Sequence, residues 1–296
     1  MKVSVSRSIG QNEAAVAWLF ILPNIIGFLF FKIIPIGAAF LLSFCEWRLL
    51  GKIKWVGFQN YADMFMDPVF TLSIKNTVIF TVISVPLTLA LALLIATQLK
   101  KKSTSNVIFR TVYFIPYITT ITAVATVWIW IFHPQGFVNA ILMSIGIENP
   151  PTWLLESDLV IYALSIIEAW RSVGYAMLIY LAGLQNIPAE LYEASEIDGA
   201  SGINKFRHIT WPMLTPTTFF LVVTSLIFTF QAFDLIYAVT DGGPGTASHV
   251  LGYYIYKTGF KFFRMGYSSA LAILMSLIII VITLIQWKGQ KNWVNE

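Results

Sequence analysis

Apolar runs about as long as a helix needs to cross roughly 30 Å of hydrocarbon, some 20 residues, occur six times along this chain, with short polar segments between them. The expected spans are 17–44, 77–99, 107–132, 159–184, 213–239 and 269–287. Prolines 23, 35, 86, 116 and 216 fall inside them. Spans tolerate proline because neighbouring helices and Ser/Thr hydroxyls take up the freed backbone groups, so these positions predict kinks. The first apolar stretch, 14–31, exceeds the roughly 7–15 residues of a signal-peptide core. Apolar sequence also continues beyond Lys32, so the stretch reads as a retained span. The pattern predicts an all-α integral membrane protein of six transmembrane helices. A segment 1–16 precedes the span domain 17–288, which encloses one polar loop at 185–212, and a tail 289–296 follows.

Composition agrees with the pattern. Hydrophobic residues make up 57% of the 296 and charged residues 11%, against about 25% charged in soluble domains. A water-facing surface is hard to build from that inventory. The net charge of +4 gives no reason to expect nucleic acid. Cys45 is the sole cysteine, so no disulfide forms within the chain. His133, His208 and His249 are scattered without metal-ligand spacing. No phosphate-cradling Gly-x-x-x-x-Gly-Lys-Ser/Thr run occurs. No catalytic, cofactor-binding or metal-binding residue is therefore assigned.

An even number of spans puts both termini on one side. Lys2, Arg7, Lys100, Lys101, Lys102, Arg110, Lys205, Arg207, Lys288 and Lys291 then share that side, ten in all, against seven on the other: Arg48, Lys52, Lys54, Lys75, Lys257, Lys261 and Arg264. Positive charge near span ends marks the cytoplasmic face. The cluster 100–102 carries most of the weight and puts both termini in the cytoplasm. On the outer side, 46–75 reads as a mixed interfacial loop with Trp47, Trp55, Phe58 and Tyr61. Segment 133–158 reads as turns beside Trp153. In 253–265, Lys257, Lys261 and Arg264 recur at helical spacing with Tyr253, Tyr256, Phe260 and Phe263. That spacing predicts an amphipathic helix lying on the outer surface, as a lipid anchor or as a docking face.

The loop 185–212 is the sizeable polar segment on the inner side. Pro188 suits a helix start. Glu190, Glu193 and Glu196 follow at intervals of three and share one face. Gly199 suits a helix stop, Ser201 can cap a second short helix bearing Ile203, Phe206 and Ile209, and Pro212 ends the loop. By spacing alone this is a helical hairpin joining two spans. The residue identities add more. Glu193-Ala194-Ser195, then Asp198-Gly199, Phe206, Ile209 and Pro212 closely resemble the EAA loop of ABC importer permeases. That pattern reads Glu-Ala-Ala, three residues, Gly, nine residues, Ile-x-Leu-Pro. Ser195 stands for the second Ala and Trp211 for the Leu; the spacing is intact.

The resemblance covers most of the chain and points to the carbohydrate-uptake branch, in the manner of the first permease of maltose and glycerol-phosphate importers. Residues 182–188 (AGLQNIP), 230–234 (FQAFD), 242–244 (GGP), 18–23 (WLFILP) and 57–61 (GFQNY) carry it. It implies a type I importer permease of a bacterial cytoplasmic (inner or plasma) membrane, paired with a second homologous permease. It further implies two ATP-binding cassette subunits that bind ATP and Mg, and an extracytoplasmic solute-binding protein. The loop, with Glu190, Glu193, Ala194, Ser195, Asp198, Gly199, Phe206, Ile209 and Pro212, would be the element that docks on an ATPase.

Charges inside spans cost roughly 2.5–3.5 kcal/mol each at a helix centre and usually face the bundle interior. Lys32 reads as snorkelling to an interface. Glu168 and Arg171, one turn apart, read as a structural ion pair. Gln231, Asp234 and Tyr237 follow at one-turn intervals in the outer half of the fifth span. With Phe230 and Phe233 they form either a packing cluster or a substrate path, in which amide and carboxylate groups meet sugar hydroxyls and the rings meet sugar C–H faces. An ion-coupled secondary transporter would need symmetric broken helices or a relay of buried acids, and a membrane enzyme would need converging catalytic groups. Within the resembled family, glycerol phosphate-type solutes are the other candidate cargo.

Overall fold

The computed structural model describes residues 8–290 except Leu50 and Lys102. Lys2, Arg7, Lys102 and Lys291 of the charge count, and residues 1–7 and 291–296 of the two terminal segments, lie outside the described residues. The chain opens with α1 (Ser8–Phe28), a π-helical turn (Leu29–Ile33) and α2 (Ile34–Leu42), which together make one rod. A two-stranded antiparallel hairpin, β1 (Cys45–Glu46) with β2 (Lys54–Trp55), and α3 (Gln59–Met66) lead into α4 (Pro68–Gln98). Next come α5 (Thr104–Ile118), α6 (Ile121–Ile131), α7 (Phe137–Ser144) and α8 (Val160–Gln185). A short pair, α9 (Ala189–Ile197) and α10 (Gly202–Lys205), runs through a second π-helical turn (Phe206–Thr210) into α11 (Trp211–Phe230). The chain ends with α12 (Asp234–Val239), α13 (Leu251–Tyr256), a third π-helical turn (Lys257–Lys261) and α14 (Met265–Gln290).

Among the described residues four helices are long and apolar enough to cross a membrane: Val16–Leu42, Pro68–Gln98, Gly202–Phe230 and Met265–Gln290. A fifth is added if α5 and α6, bent by 98°, count as one span. The 26 residues of α8 are long enough, but Glu168 and Arg171 at mid-length keep it out of that set.

Several boundaries differ from expectation. The third span is two helices. Pro116 has no N–H to give the preceding turn, and Thr119 turns to an extended backbone while its hydroxyl donates back to Ile115 O at 2.8 Å. The second span, α4, starts nine residues early, because Asp67 caps it by accepting from Val69 N–H at 2.9 Å and Pro68 fills the first position. Lys75 is therefore helical. The loop before α8 contains α7, held by Asn139, whose Nδ2 donates to Pro134 O and Pro151 O while its Oδ1 accepts from Trp153 Nε1.

The segments around 43–66 and 253–267 fold onto the ends of the long helices. Asn60 Nδ2 donates to Ser43 O and Cys45 O, and Gly266 N–H donates to Trp47 O at 3.3 Å. Any Cβ at Gly266 would collide with Cys45 O. Asp67 also accepts from the hydroxyls of Tyr254 and Tyr267, joining the starts of α4 and α14 to α13. Burial alone would raise the Asp67 carboxyl, but the hydrogen bonds from Tyr254, Tyr267, Val69 and Phe70 outweigh it and hold it below the ordinary value. Burial and the bond to Asp67 push Tyr254 up to about 12. The expected surface helix over 253–265 is accordingly corrected. It is the short α13 and a wide turn, ended by Phe263 at φ 55°, and Tyr253 and Tyr254 are buried in the fold while Phe260 and Phe263 stay exposed.

The core forms around α8, which packs against α4, α5, α11 and α12. Val85, Leu89 and Ala92 of α4 meet Ala176, Met177 and Tyr180 of α8 and Leu214 and Leu221 of α11. Small residues allow close backbone approach between membrane helices. A Cβ at Gly174 of α8 would strike Tyr113 O and the Phe114 backbone of α5, whereas Gly27 on α1 has open space around it. Gly174→Ala should therefore push α5 from α8 and cost about 2 kcal/mol, seen as a lower melting midpoint in detergent. Gly27→Ala should leave the midpoint unchanged or slightly raised.

Candidate functional site: a polar cavity and an exposed hairpin

Where α4, α5, α8 and α11 diverge, they leave a cavity of about 460 Å³. Ser84, Val85 and Thr88 of α4, Tyr117 of α5, and Glu168, Arg171, Ser172, Tyr175 and Ala176 of α8 line it. Ser225, Phe228 and Thr229 of α11, then Gln231, Ala232 and Asp234, close the far wall. Thr81 Oγ1 donates to Thr229 Oγ1 at 3.1 Å and ties α4 to α11 beside it.

Glu168 and Arg171 pair as their spacing predicts, at 3.1 Å. Arg171 Nε and Nη2 both donate to Glu168 Oε2, Nη2 also reaches Oε1, and Ser172 Oγ donates to Oε1 at 2.6 Å. The pair lies on the cavity wall, not at a closed helix contact. Tyr117 and Tyr175 stack across the cavity wall, ring centroids 4.9 Å apart and planes 18° from parallel.

Gln231 and Asp234 both line the cavity, but they do not share a helix as expected. α11 ends at Phe230, Gln231–Phe233 is irregular, and Asp234 opens α12, where its carboxylate accepts from Leu235 N–H at 2.9 Å. Phe230, Phe233 and Tyr237 lie off the cavity. Phe230 is buried, and Phe233 stacks on Tyr237 and Tyr253 and meets Tyr256 at 4.5 Å. The stacked tyrosines and the hydroxyls of Ser84, Thr88, Ser172 and Ser225 were not singled out from sequence. One signal was present: Thr77, Thr81, Ser84 and Thr88 recur at helical spacing in an otherwise apolar run.

The second site is the hairpin of α9 and α10. Pro188 precedes α9 as its cap and Ala189 is the first helical residue. Gly199 takes φ +71°, and α9 closes with Ala200 N–H on Ser195 O at 2.9 Å and Gly199 N–H on Glu196 O at 3.1 Å, the paired bonds of a glycine-stopped helix. Ser201 caps α10 by accepting from Asn204 N–H at 3.4 Å. Lys205 Nζ meets Glu196 Oε1 at 2.9 Å across the hairpin. Hydrogen bonding and charge from Lys205 hold the Glu196 carboxyl below its ordinary value. Tyr192 OH and Thr210 Oγ1 lie 2.9 Å apart, and Lys100 Nζ sits 3.8 Å above the Tyr192 ring.

Glu190, Glu193, Ala194 and Asp198 are exposed, and Ser195 donates to Tyr192 O. Ile197 and Ile203 project at 88% and 80% exposure, with Phe206 and Trp211 half-exposed beside them. Ile209 packs inward on the core. Pro212 does not end the loop: α10, the π-helical turn and α11 are one rod from Gly202 to Phe230. The turn accommodates the proline, since Trp211 N–H reaches back five residues to Phe206 O.

The model of the binding-protein-dependent transport system inner membrane component family matches residues 84–287, from mid-α4 through the hairpin into α14. The chain belongs to this family. It is a multi-pass membrane permease that works with a binding protein. The permease is 38% identical over 98% of its length, and 94% of the other chain, to a Bacillus subtilis protein named "Probable ABC transporter permease protein YesP". It is 33% identical to the arabinooligosaccharides transport system permease protein AraP of the same organism, over 100% of this chain and 95% of that one. Its fold matches a subunit of a bacterial ABC transporter that imports the acidic polysaccharide alginate, with a TM-score of 0.82 at 24% identity, covering 98% and 100% of the two chains.

The wall chemistry makes the ion pair testable. Removing one partner of a buried pair leaves an uncompensated charge and costs about 3–5 kcal/mol. Arg171→Ala should sharply lower permease yield and thermal midpoint. The double variant Glu168→Gln with Arg171→Met should recover much of the loss.

Proposed function

We propose that this permease is one of two related membrane subunits of an ATP-driven carbohydrate importer. The makeup of the cavity carries the reading. Hydroxyls of Ser84, Thr88 and Ser225 and the stacked Tyr117–Tyr175 pair surround Gln231 and Asp234. A sugar offers hydroxyls to the amide and carboxylate and C–H faces to the rings. Glu168 and Asp234 against Arg171 leave the wall with an excess of acid, which disfavours a glycerol phosphate-type anion. The name of AraP, for arabinooligosaccharides, is in keeping with a sugar cargo.

In this reading the 26 residues of α8, about 39 Å of helix, are the fourth span and bring the total to six, with α5 and α6 as one broken span. Both termini face the cytoplasm. The hairpin 185–212 is the coupling element: Ile197, Ile203 and the acidic face of Glu190 and Glu193 enter a groove on one of two ATPase subunits. Those subunits bind ATP and Mg and do the hydrolysis; this chain supplies no catalytic residue. ATP favours one closure of the ATPase pair, and the hairpin converts that preference into a population shift between inward-open and outward-open cavities.

Gln231→Ala and Asp234→Ala should each reduce sugar uptake about tenfold while the complex assembles and keeps binding-protein-stimulated ATPase activity. Unchanged uptake kinetics would remove both residues from the path. Gly199→Val puts a β-branched residue at φ +71°, about 1–2 kcal/mol of strain, and Glu193→Lys reverses a docking charge. Each should uncouple ATP hydrolysis from uptake. Normal uptake with normal ATPase association would sink the coupling role, and transport with the ATPase subunits absent would favour an ion-coupled carrier.

A further inference from the structure

The rod formed by α1 and α2 is the least enclosed part of the chain. None of the apolar window of Val16–Leu42 is buried within the fold, and only its α2 end reaches α14. Lys32 lies near its middle, exposed between Phe31 and Ile33. Among the described residues no carboxylate pairs with it. The two acids inside spans, Glu168 and Asp234, both face the cavity, and Glu168 is bound to Arg171.

The depth of Lys32 follows from the register of the rod. Its α2 end packs on α14, and the segment just beyond it is pinned to the start of α14 by Gly266 N–H on Trp47 O and by the backbone bridge between Arg48 and Arg264. Lys32 lies ten residues before Leu42, about 15 Å along a helix, which is half of a roughly 30 Å hydrocarbon core. Snorkelling does not fit that position. A lysine side chain reaches roughly 6 Å, short of either interface. Lys32 also sits in the π-helical turn Leu29–Ile33, where Ile34 N–H reaches back to Leu29 O just before Pro35. Such turns are enriched at functional positions, and charges at this depth pair with one another or face a bundle interior.

We propose that Lys32 forms a membrane-embedded ion pair with an Asp or Glu on a helix of the second permease, and that this pair fixes where the rod docks on that subunit. The proposal rests on the two-permease reading given above. Lys32 thus sets the pairing of two unlike subunits, because the matching acid must lie at the same depth on the partner.

The test uses the full complex purified through a tag on this chain, from membranes expressing all subunits, then held in phosphatidylcholine nanodiscs. Dicyclohexylcarbodiimide activates carboxylates within the bilayer, and an adjacent lysine amine converts the activated acid to an amide, releasing the urea. Mass spectrometry should find the Lys32 peptide joined to a peptide of the second permease, and Lys32→Met should abolish the link. Lys32→Met and Lys32→Glu should lower recovery of the second permease at least fivefold with unchanged levels of the tagged chain, and Lys32→Arg should retain it. The rod is unburied in its own fold, so the variants leave the α4–α8–α11 core intact. Full recovery with Lys32→Met, or no Lys32 link in a complex that contains the second permease, overturns the proposal. Failure of any second permease to accompany the wild-type chain would instead sink the pairing reading, and the ion pair with it.

Discussion

The ion pair of Glu168 and Arg171 is the interaction around which the membrane domain is arranged. An acid and a base carried one turn apart on α8 must reach the bundle interior neutralised, since neither charge is tolerable against lipid. Arg171 meets Glu168 with two of its nitrogens and Ser172 occupies a further lone pair, so the group enters the core already satisfied. Four helices then enclose α8, and its small faces at Gly174 and Ala176 let them come close. The cavity is what remains on the polar side of that enclosure. The same pair that keeps α8 from looking like a membrane helix by composition gives the wall its charge.

Proline imposes a second constraint, and this chain meets it in more than one way. Where a proline follows a widened turn, as Pro35 follows Leu29–Ile33 and Pro212 follows Phe206–Thr210, the rod continues and the neighbouring N–H skips back one residue further. At Pro116 the outcome differs: the helix stops at Ile118, Thr119 turns to an extended backbone, and the chain bends by 98° into α6. In hydrocarbon a freed carbonyl needs a new donor, and the local residues decide whether that is found by stretching the helix or by ending it.

Much of this was legible in the residues. The apolar periodicity located the long helices, and Glu168 and Arg171 announced their pairing by spacing. Gly199 and Ser201 gave the hairpin its stop and its cap through local geometry alone. What escaped depended on partners distant in sequence. Tyr117 and Tyr175 sit on different helices, and nothing near either one foretells the stack. Tyr253 looked like the apolar side of a surface helix, because nothing near it foretells that its neighbour Tyr254 is tied to Asp67, far upstream. Gln231 and Asp234 looked like successive turns of one helix, since no proline or glycine separates them. The break between them is set by packing, with Gly252 lying against the carbonyls of Gln231 and Ala232 so closely that a Cβ would collide.

The unbroken rod from Gly202 to Phe230 gives the hairpin a mechanical property. About 43 Å of helix runs from an exposed apolar tip to the residue before Gln231, with its single wide turn close to the tip. A stiff strut of this kind needs no relay of side chains to carry a displacement. A tilt imposed at one end arrives at the other as a shift of the cavity wall, and the irregular link Gln231–Phe233 is the joint where that shift is taken up.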